Sequence, residues 1–125
     1  MAERQRRSRE DLEAHSSLRG MRLEGLIREE LNSLLEGEIS DPRLEDVRVT
    51  RVELTRDGSR ARVWFVTTRS EAEASAAIGA AFSRASGFLR SRLCEALPLK
   101  RSPELRFRHD PSAVLPEEAL EKERE

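Results

Sequence analysis

The stretch 83-SRASGFLRSRL-93 decides how the second half of the chain is read. Phe82, Leu89 and Leu93 fall seven and four residues apart, the repeat of one apolar helical face. Ala85, Ser86 and Gly87 stand in the middle of it. A glycine inside a helix costs about 1 kcal/mol relative to alanine. The reading is therefore two helices that meet at a sharp small-residue kink. Gly87 is free to leave helical dihedrals there, and Ser86 can bond or cap the freed backbone groups. The helix that begins near Phe88 would then offer unpaired N–H groups to solvent, flanked by Arg84 and Arg90, which is an arrangement suited to an anion.

Working outward, Ser70 followed by Glu73 forms a capping box for the helix that leads into the kink. Ala74, Ala77, Ile78, Ala81 and Phe82 supply its apolar face. Beyond the kink, Ala96 and Leu97 continue the second helix up to Pro98. Leu105 and Phe107 alternate with Arg106 and Arg108 as a strand, with Pro103 just before it. Toward the N-terminus, Arg60, Arg62 and Trp64 alternate with Ala61, Val63 and Phe65 in a second strand. Asp57-Gly58 is the turn of a hairpin. Val47 and Val49 alternate in one phase and Val52 and Leu54 in the other, so the first strand, about 46–55, carries a bulge near Arg51. Asp41-Pro42 is a turn. Leu23, Leu26, Ile27, Leu31, Leu34 and Leu35 mark a first helix, with Ser16 or Ser17 as its cap and Gly37 at its end. The order is α-β-β-α-kink-α-β. It predicts an α+β domain in which three helices cover one face of a three-stranded sheet, with the third strand beside the first or the second. That is the element order of a type II KH domain.

Charge is distributed unevenly. The net charge of the 125 residues is -1, yet residues 84–109 hold seven bases against Glu95 and Glu104. Residues 10–57 hold 13 acids against seven bases. Of the 23 basic residues all but Lys100 and Lys122 are arginine, the better fork for phosphate. Residues 1–14 read as a flexible basic arm, 15–111 as the folded domain and 112–125 as a flexible acidic tail. The single cysteine, Cys94, allows no internal disulfide and reads as a small core thiol. The N-terminus has no secretory pattern and no run is long enough for a membrane span, so a cytoplasmic protein without membrane contact is expected.

Catalytic and metal patterns are absent. Asp41, Asp57 and Asp110 sit at turn positions. His15, His109 and Cys94 lack metal-ligand spacing. Ser83 and Ser86 are not set in a nucleophile elbow. Neither enzyme activity, cofactor nor metal is expected. Trp64 is either a stacking surface for RNA or a packed side chain.

Four segments together resemble the ribosome-binding factor A family: IREELNSLLEGEISDPRL at 27–44, VRVTRVELTRDGSRARVWF at 47–65, RASGFLRSRL at 84–93 and SPELRFRHD at 102–110. The resemblance spans about residues 17–110. It implies a type II KH fold in which Ala85-Ser86-Gly87 takes the place of the KH Gly-x-x-Gly loop. It also implies a non-catalytic factor that binds the free 30S subunit and 16S rRNA as a monomer. Such a factor assists late maturation of the 30S subunit and processing of precursor 16S rRNA, and matters most in the cold. The RNA-binding residues expected are Arg84, Ala85, Ser86, Gly87, Arg90, Arg92, Lys100, Arg101, Arg106 and Arg108. The competing expectation is a protein-interaction module that uses the leucine-rich first helix or a sheet edge.

Overall fold

The computed structural model describes residues 18–110. The proposed caps at Ser16 and Ser17, the basic arm and the acidic tail lie outside them. Helix α1 spans Leu18–Gly37 and is followed by a 3₁₀ turn at Pro42–Leu44. Strands β1 (Arg48–Leu54) and β2 (Arg60–Val66) form the hairpin. A helical run then begins with one turn at Glu71–Glu73, widens into a π segment at Ala74–Ile78 and continues as α2, Gly79–Ala96. Strand β3 covers Glu104–His109.

The sheet order is β1-β2-β3. β1 and β2 run antiparallel, and the register slips between Val49 and Arg51, where the change of phase in the sequence placed a bulge. Gly58 takes φ +74°, the left-handed value that the tight turn demands. β3 lies beside β2, parallel to it, with Ala61 opposite Leu105 and Val63 opposite Phe107. A parallel neighbour requires a crossover, and the helical run 71–96 supplies it. The Glu104 N–H donates to Ser59 O at 2.8 Å and the Asp110 N–H to Phe65 O at 3.0 Å, closing the pairing at both ends.

One sheet face is apolar and covered. Val49, Val52 and Leu54, then Ala61, Val63 and Phe65, then Leu105 meet Ile27, Leu31, Leu34 and Leu35 of α1 and Ala81, Phe82, Leu89 and Leu93 of α2. The α+β class and the three-stranded sheet are as expected, and the arrangement is consistent with a type II KH domain. The covering layer is different in detail. It consists of α1 and one helical run, because α2 passes through Ala85, Ser86 and Gly87 without interruption. Gly87 has no positive φ. The departure from α-helical geometry lies about two turns earlier, in the π segment at Ala74–Ile78.

Burial explains the continuity. Phe82, Leu89 and Leu93 are each at most 1% exposed, and burying such side chains is worth about 1.5–3 kcal/mol each. All three keep their face only if the helix stays in phase, which outweighs the roughly 1 kcal/mol propensity penalty of one glycine. A Cβ at Gly87 would meet nothing within 4 Å, so Gly87→Ala should raise stability by about 1 kcal/mol in chemical denaturation. A loss of stability would show that the helix does break there.

Two other expectations are corrected. Leu26 is 40% exposed and off the core face of α1. Cys94 is exposed. Adjacent helical residues point about 100° apart, so the residue after buried Leu93 turns outward.

The free edge of β1 is closed by helix side chains. Asn32 donates through Nδ2 to Val49 O at 2.9 Å, and its Oδ1 accepts the Val49 N–H at 2.8 Å. Glu24 Oε2 accepts the Leu54 N–H at 2.8 Å. α1 thus does for β1 what a fourth strand would do. Asn32→Leu, of the same branched shape, should lower stability by about 1–3 kcal/mol because both Val49 groups lose their partner. An unchanged denaturation midpoint would refute that role.

Candidate nucleic-acid interface

The ten residues expected to contact RNA are distributed over three places. Among the outward positions of α2 are Arg84, Gly87, Phe88 and Ser91, all exposed. They recur at helical spacing, which puts them on one solvent-facing stripe. Ala85 is partly buried against the core. Because the helix is unbroken, no free N–H groups begin at Phe88, so this stripe offers a charge and a smooth surface rather than a backbone anion site.

Two of the arginines on α2 serve the fold. Arg90 donates from Nε to Ser102 Oγ and from Nη2 to Ser102 O, each at 3.1 Å, and so fastens the α2–β3 connection to the helix. Arg92 pairs with Glu38 at 2.8 Å and Glu95 at 3.6 Å, and its guanidinium sits 6.0 Å from the Phe88 ring centre. Two glutamates balance its charge, which leaves little for a phosphate.

The second place follows the end of α2. Lys100 and Arg101 line a cleft of about 310 Å³ with Arg19 of α1 and Arg56 of the hairpin. Leu23, Leu54 and Leu99 give the cleft an apolar part. Sequence reading missed Arg19 and Arg56. The available signal was the Asp57-Gly58 turn, which brings Arg56 to the tip of the hairpin, but the partners of a tip are set by tertiary packing. Asp57 adjoins this cleft as a turn-former. Its carboxylate accepts the Ser59 N–H, the Ser59 hydroxyl and the Thr55 hydroxyl. These bonds, with a smaller contribution from nearby Arg101, lower its pKa to about 2. Asp41 is likewise brought to about 2, chiefly by the Arg43 side chain and then by the Arg43 N–H, with Arg84 adding a weaker attraction. Both aspartates hold turns, as their sequence contexts indicated.

The third place is the opposite side of the molecule. Phe107 points inward and stacks on Phe82 with ring centres 3.9 Å apart, so Arg106 and Arg108 project from the uncovered sheet face, where both are exposed. Arg106 pairs with Glu104 at 2.8 Å. Trp64 is on this face too. Its Nε1 donates to Glu53 Oε1 at 3.0 Å, and the Arg51 guanidinium lies 4.8 Å from its ring centre. The helix-side and sheet-side arginines therefore do not form one patch; the sheet separates them.

Among the described residues no group of three or more His, Cys, Asp or Glu side chains is placed to hold a metal ion, and no helix is long and apolar enough to cross a membrane. What the fold defines is a small α+β protein with cationic surfaces on both of its layers. The chain belongs to the ribosome-binding factor A family, whose sequence profile matches residues 19–120. It is 40% identical over 91 residues to ribosome-binding factor A of Desulfatibacillum aliphaticivorans, covering 73% of each chain. Its fold is similar to the crystal structure of ribosome-binding factor A from Thermus thermophilus, with a TM-score of 0.63 and 30% identity over 71% of this chain and 93% of that one. It is also similar to the Thermus thermophilus homology model fitted into a cryo-EM map of a 30S–RbfA complex, with a TM-score of 0.61 and 28% identity over 74% of this chain and 96% of that one.

Proposed function

We propose that this protein is a non-catalytic assembly factor of the small ribosomal subunit. It binds free 30S particles as a monomer through 16S rRNA in the cytoplasm, assists their late maturation and favours processing of precursor 16S rRNA, most noticeably in the cold. The observation that carries the reading is the likeness, over 96% of its length, to a relative fitted on the 30S subunit. The chemistry agrees with it. Lys100, Arg101 and Arg19 rim one cleft, and Arg84 stands exposed on α2; these are the groups proposed to meet phosphates on the helix side. Gly87 and Ser86 keep the surface beside Arg84 low, while Arg90 and Arg92 shape the site rather than bind. Residues 15–111 are the binding unit in this reading, and the arginines before residue 10 add positive charge.

The alternative of a leucine-mediated protein contact has less surface to use, since Ile27, Leu31, Leu34 and Leu35 are core and the β1 edge is bonded to α1; it would rest on Leu18, Met21 and Leu26, which stay exposed on the helix, or on the β3 edge. Salt separates the readings. Phosphate contacts release counterions, with a slope of about 0.9 per contact in log–log form. Binding to free 30S particles, measured by sedimentation across a salt series, should weaken with a slope of at least about 3. A flat series would sink the rRNA-binding reading.

A further inference from the structure

The uncovered sheet face is rich in positive charge, and its pattern is regular. Arg60, Arg62 and Trp64 alternate outward along β2; Glu104, Arg106 and Arg108 do so along β3. The register sets Arg62 beside Arg106 and Trp64 beside Arg108. On the other flank, Arg51 is opposite Trp64 and Glu53 opposite Arg62. Glu53 lies 3.8 Å from both Arg51 and Arg62, a loose shared contact that neutralises neither fully. Glu104 pairs with Arg106 alone. Among the described residues Arg108 has no ion pair. No helix or strand of the described residues covers this face.

We propose that this sheet face is a second nucleic-acid surface, a platform for single-stranded RNA centred on Trp64. The inference rests on the rRNA-binding reading above. Outward residues along a strand repeat about every 6.7 Å, which suits successive phosphates of an extended single strand. The two arginine columns on β2 and β3 run parallel and track such a backbone. The indole supplies the stacking surface, which accepts any unpaired base because every base has a π face. The Arg51 guanidinium, planar and cationic, occupies the position over the ring that a base would take. When a base displaces it, Arg51 is released toward the adjacent phosphate. A duplex, whose bases are stacked internally, fits the charge but not the indole.

The chain has one tryptophan and no tyrosine, so its intrinsic fluorescence reports on this face alone. Titrating the full-length protein with oligouridylate should quench Trp64 saturably. With four phosphate contacts at about 0.7 each, apparent affinity should fall about 50-fold between roughly 50 and 200 mM salt. Arg108→Glu and Arg62→Glu should each suppress the quenching, while Arg28→Glu on the exposed side of α1 should not. With a labelled oligonucleotide, Trp64→Ala should weaken binding about 5- to 150-fold. Circular dichroism would confirm that each variant is folded, and Arg108→Glu is the cleaner because it breaks no pair. No quenching by oligouridylate, quenching equally strong with Arg108→Glu, or quenching by polyglutamate but not RNA would each overturn the platform. Free 30S binding, run in parallel, keeps the two ideas separate. Steep salt dependence there without oligouridylate quenching removes the platform and leaves the assembly-factor reading intact; a flat 30S salt series removes that reading itself.

Discussion

Phe82→Ala should cost this protein about 3–5 kcal/mol of folding stability. Phe82 is 1% exposed. Its ring stacks on Phe107 at 3.9 Å and 6° and meets Phe65 at 5.2 Å with the planes tilted by 56°. One side chain of α2 therefore grips both β2 and β3. Removing a buried phenylalanine costs about 3–5 kcal/mol, through lost transfer energy and the cavity left behind. A folded unit of this size has about 5–14 kcal/mol in total. Urea denaturation followed by circular dichroism should show a loss of about 3–5 kcal/mol, a substantial share of that total. Phe82→Leu, which keeps much of the volume, should lose markedly less. A Phe82→Ala protein within about 1 kcal/mol of the parent would mean that the three-ring cluster does not hold the helix to the sheet.

Reversing charge on the helix side should abolish subunit binding while sparing the fold. Arg84→Glu, Lys100→Glu and Arg101→Glu together exchange three exposed cations for anions. Exposed charges contribute at most about 1 kcal/mol each to stability, so the denaturation midpoint should move little. Toward an rRNA surface the same change removes three attractions and adds three repulsions. At about 1 kcal/mol each for the lost contacts alone, affinity for free 30S particles should drop more than about 100-fold. The salt slope should flatten by about 2–3 units. Arg90 and Arg92 are left untouched because their bonds to Ser102, Glu38 and Glu95 make any substitution there a test of folding as well. Undiminished binding by the triple variant, with the parental slope, would take the rRNA contact off this side.

The features legible in the sequence were those decided within a few residues. Asp57-Gly58 makes its own turn, and the bonds from Thr55 and Ser59 to Asp57 are local. The phase change between Val49 and Val52 is a local record of the slip in register. Ala61, Val63 and Phe65 needed only a period of two. The choice of β2 over β1 as neighbour of β3 was not legible, because an alternating Leu105–Phe107 strand suits either; Asn32 and Glu24 settle it by occupying the outer edge of β1. Nor was the continuity of α2. Gly87 lowers local helix propensity, but the buried side chains on either side of it act at long range and prevail. The site was legible in composition and not in placement. The basic third of the chain was visible as a run of residues, yet a run that leaves a helix and enters a strand puts its charges on opposite layers. Arg90 and Arg92 looked identical to Arg84 until their partners from distant segments were in view.

The Asn32 clasp has a consequence for how copies of this chain can associate. A sheet that exposes two edges can add chains at both and grow without limit, whereas a sheet with one available edge stops at a pair, two copies meeting edge to edge about a twofold axis. Here β3 is the only strand edge among the described residues without a clasp of this kind, so any sheet-extending encounter terminates at two molecules. Loosening Asn32 and Glu24 together would do more than weaken the fold: with both clasps gone a self-limiting encounter could become a head-to-tail one, and the expected product is filament rather than dimer.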